Sequence, residues 1–268
     1  YKDGTQSFDL VNIFKPVTKL ALQVNKTQNI PDLFRYAFRH ALSGKRGPVF
    51  VDIPQDLLDR QTYVGEIAPP SSYRAINTRV GGDPTTISEA AQILASAQRP
   101  LLLAGGGIID SEATDEALQI AELLDMALVP TYGHHDVVPN SHRLYVGPPA
   151  GRGSVEGLQA LNNADVIFAF GSRLNQATTG WNFDVINPNT KIIQVDIDPL
   201  EIGRNYPVTV GIVGDAKAVG QQLLEVLKDK FPEGKPNPDW RKKVEDLAAT
   251  RIARLENEAN IPASNPMK

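Results

Sequence analysis

The stretch RPLLLAGGGIIDSEATDEALQIAELLDMALVP, from Arg99 to Pro130, decides the fold. Its short apolar run Pro100–Ala104 reads as a buried strand, and Gly105–Gly107 turns the chain. Residues Ser111–Asp125 then carry helical spacing before a second apolar strand, Ala127–Pro130. The same pattern extends in both directions. Upstream lies a helix over 85–98, with Ile87, Ala90, Ala91 and Leu94 facing inward. Downstream, a polar stretch over 131–153 rich in Gly and Pro interrupts the pattern. It resumes as a helix over 154–163, strand Asp165–Phe170, a loop over 171–190 and strand Lys191–Asp196. A helix from Pro199, strand Val208–Val213 and helix Ala216–Lys230 complete it. Apolar strands alternating with amphipathic helices predict an α/β domain: a Rossmann-like parallel sheet of about five strands with helices on both faces.

Before this domain, residues 28–43 form an amphipathic helix ending at Gly44, and Val49–Ile53 reads as a buried strand between Pro48 and Pro54. The resulting division is an αβ region over 1–60, a Pro/Gly/Ser-rich linker over 61–84, the sheet domain over 85–231, and a connector over 232–268 that contains a charged helix near Asp239–Glu258. The 268 residues carry 27 Lys+Arg against 31 Asp+Glu, a net charge of −4, which argues against a nucleic-acid partner. No cysteine is present, so disulfide frameworks, thiolate metal sites and a cysteine nucleophile are excluded. No apolar stretch is long enough to span a bilayer and YKDGTQSFDL does not have the order of a signal peptide, which predicts a cytoplasmic protein without a membrane partner. The start at Tyr1 rather than Met, and the coil-like end IPASNPMK, lead us to expect a piece of a longer protein.

Candidate chemistry gathers where the strands end, the edge at which open α/β sheets bind ligands. Gly105-Gly106-Gly107 lies between strand and helix, so it reads either as a phosphate cradle or as a tight turn; it does not have the spacing of GxGxxG. Asp196, in VDIDP, is placed to hold a ribose hydroxyl, whereas Asp198 reads as the cap of a helix starting at Pro199. Asp215, before Ala216, reads as an N-cap, a ligand contact or both. Arg173, in Gly171-Ser172-Arg173, is a candidate phosphate partner. Adjacent His134 and His135 would point to opposite sides of an extended loop, and no metal-ligand cluster is legible. G-x-S-x-G, H-E-x-x-H and Walker patterns do not occur.

Several blocks together resemble the thiamine diphosphate-dependent enzymes of the acetolactate synthase and pyruvate oxidase group. Gly44 to Leu57, GKRGPVFVDIPQDL, is similar to the G-x-x-G-P-V-x-x-D-x-P-x-D-V that closes the pyrimidine domain of that family, and Lys15 to Lys19 is similar to its [RK]-P-[IV]-T-K. Counting back places Gln6 at the family's F-Q-E glutamine, with Thr5 and Ser7 replacing its neighbours. Arg99–Gly107, Ala164–Leu174, Thr179-Gly180, Ile192–Gly203 and Gly214–Ala216 follow the family's central domain in order. The resemblance implies the end of a pyrimidine domain followed by a central domain. It also implies a parent enzyme that uses thiamine diphosphate and Mg²⁺ on a 2-oxo acid or related aldehyde, assembled as a homodimer or homotetramer. It makes Gln6 a catalytic residue and, where flavin is bound, gives the FAD contacts to Gly106, Gly107, Arg173, Asp196, Ile197, Asp215 and Ala216. The chain departs from the flavoproteins at their G-M-H-G loop, here Gly147-Pro148-Pro149-Ala150, and at their F-D-D-R, here Leu174 to Ala177. Gly133–Ser154 is closer to sulfoacetaldehyde acetyltransferase-like members, leaving FAD, ADP or no nucleotide as alternatives. The family's catalytic glutamate and its G-D-G…N-N motif do not occur in the chain. A non-catalytic nucleotide-binding or structural module is the competing reading, and a stand-alone NAD dehydrogenase is disfavoured by the missing GxGxxG.

Overall fold

The computed structural model describes residues 8–59, 65, 67–72, 79–149 and 153–259. The chain falls into two compact units, Tyr1–Thr78 and Arg79–Lys268.

The first unit is a small βαβ arrangement. Helix α1 (Leu10–Phe14) is capped by Asp9, whose carboxylate accepts from the Asn12 amide at 3.2 Å. Strand β1 (Leu20–Gln23) pairs in parallel with β2 (Val49–Asp52), Leu20 facing Val49, and α2 (Ile30–Leu42) makes the crossover between them. Pro31 in the first turn of α2 costs no hydrogen bond, because that amide has no helical partner anyway. Helix α3 (Gln55–Asp59) follows. Val24, Ala37 and Leu57 are buried, and Phe14 stacks on Phe50 at 4.2 Å between ring centroids.

The second unit holds, among the described residues, one five-stranded sheet. Its strands are β3 (Pro100–Ala104), β4 (Ala127–Pro130), β5 (Val166–Phe170), β6 (Lys191–Asp196) and β7 (Val210–Val213), all parallel in the order β4-β3-β5-β6-β7. Every position of β3, β4 and β5 is buried, so both faces of the sheet are covered, as the continuous apolar runs require. Helix α4 (Pro84–Ser96) is capped by Asp83; α5 (Gly106–Ser111), α6 (Thr114–Leu123), α7 (Val155–Asn163), α8 (Gln176–Thr179), α9 (Ala216–Lys230) and α10 (Pro238–Ala259) follow. Helices α4 and α6 each pack on α9, and α7 packs with α10. Counted within the unit, the strand order is 2-1-3-4-5, the doubly wound order whose winding reverses between β3 and β5.

Four sequence expectations change. The helix expected over Ser111–Asp125 runs as α6 over Thr114–Leu123 and is preceded by the unexpected α5 over Gly106–Ser111, which ends where Glu112 takes the left-handed conformation (φ 58°) and its amide closes on the carbonyls of Ile108 and Ile109. The helix expected from Pro199 is a series of turns. There the buried Gln194 side chain donates to the carbonyls of Ser172 and Glu201 and accepts from the Gly203 amide at 2.8 Å, holding Gly203 at φ 70°. The stretch over 131–153, read as a polar interruption of the pattern, contributes to the core: Val137, Val138, Leu144, Tyr145 and Val146 are buried, and Tyr145 bridges to Leu128 of β4.

The fourth concerns the tail. Expected as a connector, it places α10 against the sheet domain with Trp240, Val244 and Ala248 buried, and the Trp240 indole donates to the Pro100 carbonyl at 3.0 Å. Arg251 lies over the Tyr145 ring at 4.7 Å, and Arg254 forks onto Glu156 of α7 at 3.0 and 3.2 Å. The Arg254 fork holds the Glu156 carboxyl below the ordinary glutamate value of 4.5. A lowered folded-state pKa means that the unfolded chain binds the proton more readily. The stability this pair contributes is therefore complete above about pH 4.5 and is lost as pH falls through the folded value. Urea midpoints followed by CD between neutrality and acid are expected to hold level and then drop, and Glu156→Gln is expected to flatten the drop. An unchanged acid limb in Glu156→Gln would assign the drop to other carboxylates.

Candidate functional site

Every sequence-assigned residue of the sheet domain lies at the carboxyl edge: the turns with Gly106, Gly107 and Arg173 flank the reversal between β3 and β5, and those with Asp196, Ile197, Asp215 and Ala216 follow β6 and β7. Gly105–Gly107 leaves β3 and Gly171-Ser172-Arg173 leaves β5; the two turns touch through backbone. The Gly105 amide donates to the Phe170 carbonyl at 3.0 Å, and the Gly107 amide donates to the Gly171 carbonyl at 3.0 Å. A Cβ on Gly105 would run into the Gly171 carbonyl, and one on Gly107 would stand 2.8 Å from the Gly171 Cα. Gly171 itself sits at φ 59° and its amide donates to Val195 of β6. The glycines therefore permit two strand-to-helix turns to cross at backbone distance. A Cβ on Gly106 would meet the His134 imidazole at 2.6–2.7 Å, so that ring covers the open side of the turn.

The charged candidates also have partners within the chain. Asp196 accepts from the Asp198 amide at 2.9 Å, and Asp198 accepts from the Leu200 amide at 3.0 Å, so Asp198 closes a turn where a helix cap was expected. Ile197, between them, is half-buried. Arg173 is half-exposed, with its guanidinium 3.9 Å from the buried Glu201 carboxylate, which Arg204 also approaches at 3.2 Å. Asp215 caps α9 by accepting from the Ala218 amide at 3.2 Å and pairs with Arg79 at 3.1 Å; Ala216 is the buried first residue of that helix. Arg79 was not singled out by the sequence reading; no local pattern marks a residue that pairs across 136 positions. Gln194 was missed for the same reason, since one polar residue inside an apolar strand run is a weak signal until its partners are known. Gln6 lies outside the described residues. Among the described residues no group of three or more His, Asp or Glu side chains is placed to hold a metal ion, and no helix is long and apolar enough to cross a membrane.

Close to this edge, Tyr206 is buried against Phe183, with ring centroids 5.6 Å apart, and burial pushes its phenol above the ordinary value of 10.0. Burial therefore favours the neutral phenol.

Such a sheet, with reversal-point turns built from glycine and helices capped by aspartate, is a doubly wound α/β domain of the Rossmann-like kind. Residues 87–223 match the family described as "Thiamine pyrophosphate enzyme, central domain", and the chain belongs to the thiamine pyrophosphate enzymes. It is similar to the acetolactate synthase large subunit of Corynebacterium glutamicum, 36% identical over 89% of this chain and 38% of that one. It is also similar to the acetolactate synthase isozyme 3 large subunit of Escherichia coli, 32% identical over 96% of this chain and 45% of that one. The fold matches the crystal structure of benzoylformate decarboxylase from Polynucleobacter necessarius with a TM-score of 0.71, at 25% identity, over 87% of this chain and 42% of that one. The chain thus spans roughly two fifths of the length of these relatives, 38% and 45% of the two synthases.

Proposed function

We propose that this chain is part of a thiamine diphosphate- and Mg²⁺-dependent decarboxylase or carboligase of the acetolactate synthase kind, acting on a 2-oxo acid or a related aldehyde. The observation that supports this reading is the 36% identity to an acetolactate synthase large subunit across both units of the chain. In a reaction of this kind the C1–C2 bond of a 2-oxo acid breaks, CO₂ leaves, and the acyl carbon bonds to the carbonyl carbon of an acceptor whose oxygen takes up a proton. Thiamine diphosphate, when bound, supplies the electron sink for that bond cleavage.

The described residues do not themselves fit the cofactor. They bring together no metal-binding cluster, and the glycine turns at the reversal point are closed on one another. The metal and diphosphate are left to other parts of the protein. The sheet domain then serves assembly, in a cytoplasmic homodimer or homotetramer, and Gln6 has the catalytic role that the resemblance implies. Within this reading, the resemblance of Gly133–Ser154 to sulfoacetaldehyde acetyltransferase-like members supports that branch as the alternative within the family.

The intact protein, supplied with thiamine diphosphate and Mg²⁺, is expected to release CO₂ from pyruvate and form a new C–C bond. Gln6→Ala is expected to lower kcat/KM about tenfold to a hundredfold, the range for a misplaced positioning group. If neither pyruvate nor an aldehyde donor is consumed, the carboligase reading fails. Unchanged kinetics in Gln6→Ala would remove Gln6 from the site.

A further inference from the structure

The resemblance to the thiamine diphosphate enzymes implies an extended FAD, or ADP, across the carboxyl edge. We propose that in this chain the reversal point is shut against both by the chain's own groups, so the sheet domain carries no nucleotide.

Three independent features close the site. Three amides of the crossing turns are already used: Gly105 donates to the Phe170 carbonyl, Gly107 to that of Gly171, and Gly171 to that of Val195. The space a phosphate would need is filled as well. A Cβ added at Gly105 or Gly107 meets Gly171 or Ser172 backbone rather than open crevice, and one added at Gly106 meets the His134 ring at 2.6 Å. A glycine that cradles a ligand has solvent where its Cβ would be, as Gly133 does here with nothing within 4 Å. Finally, the charges that would recognise a ribose or a phosphate hold local structure. Asp215 is committed to the α9 cap and Arg79, Asp196 accepts from the Asp198 amide, and Arg173 lies beside the buried Glu201. Admitting a phosphate against Gly105 or Gly107 would mean breaking the backbone pair between the two turns, and admitting one against Gly106 would mean displacing the His134 ring. The same closure holds β3 and β5 together at the one place where the winding of the sheet reverses, so the family's ligand crevice becomes a structural joint.

This inference rests on membership of the thiamine enzyme family and not on which substrate the parent uses, and the experiment separates the two. The intact protein, expressed with riboflavin supplied, is purified and its visible flavin absorbance recorded. FAD and ADP are then titrated against it by flavin fluorescence and by thermal unfolding, with carboligase activity measured on the same preparation. We expect no bound flavin, no saturable change with FAD or ADP, and no rise in Tm from either. Stoichiometric flavin, or saturable ADP binding accompanied by a Tm rise, overturns the closure whether or not the enzyme is active. A flavin-free, nucleotide-indifferent but inactive protein upholds the closure and counts against the carboligase reading alone. Gly107→Ala adds a second arm. If the turn is a joint, Tm falls with no change in nucleotide response; if it is a cradle, nucleotide binding present in the parent disappears.

Discussion

Trp240→Ala is expected to destabilise the sheet domain by about 3–5 kcal/mol, the range for removing a large buried aromatic side chain. The indole is 3% exposed and fills the contact between α10 and the sheet domain, and its N–H satisfies the carbonyl of Pro100, the first residue of β3. Truncation removes that packing and leaves a buried strand carbonyl without its donor. The chain has two tryptophans, and Trp181 is 75% exposed, so in a Trp181→Phe background the fluorescence of Trp240 reports α10 alone. If α10 is an integral layer, urea unfolding followed by Trp240 fluorescence and by far-UV CD should coincide, and Trp240→Ala should move the CD midpoint. A Trp240 transition well ahead of the CD transition, with the CD midpoint unmoved by Trp240→Ala, would return α10 to the role of a connector.

What could be read from the sequence divides along a physical line. Strands β4 and β6 and helix α9 fall on the residues expected of them, because each is decided locally, by an apolar run or by amphipathic spacing behind an aspartate cap. The errors fall where a long-range contact decides the local conformation. Residues after Pro199 have adequate helical propensity, yet Gln194, buried and six or more positions away, takes the Glu201 carbonyl and the Gly203 amide that a helix would have used. The charged pattern of α10 describes a solvated helix, and it is one; only its narrow stripe of Trp240, Val244 and Ala248 reveals that one face is buried. Strand β1, LALQ, was passed over because four residues with no turn signal beside them are indistinguishable from coil until β2 pairs with them. At the candidate site, the residue types were legible and their partners were not. Gly105-Gly106-Gly107 is compatible with a phosphate cradle or a tight turn from sequence alone, and only the position of Gly171 relative to them separates the two.

That separation gives the second large effect, at Gly105. Gly105→Ala is expected to cost about 3 kcal/mol or more, at the upper end for overpacking, because the new methyl would clash with the Gly171 carbonyl oxygen and stand 2.7 Å from the Ser172 Cα. Those are backbone atoms of the turn leaving β5, fixed by the hydrogen bonds Gly105 to Phe170 and Gly107 to Gly171, and no rotamer change can relieve the clash. Relief requires the ends of β3 and β5 to separate, which breaks both bonds at the centre of the sheet. Gly133→Ala is the matched control. Gly133 has a left-handed φ of 87° and nothing within 4 Å of its added methyl, so its substitution bears only the conformational penalty, about 1 kcal/mol. Urea midpoints of the two variants against the parent should therefore differ by about 2 kcal/mol or more, with Gly105→Ala the lower. If the two variants are equally stable, the turns at the reversal point have room between them. The glycines would then be conserving space for a ligand rather than a contact between strands, and both the joint and the closed crevice built on it would fail together.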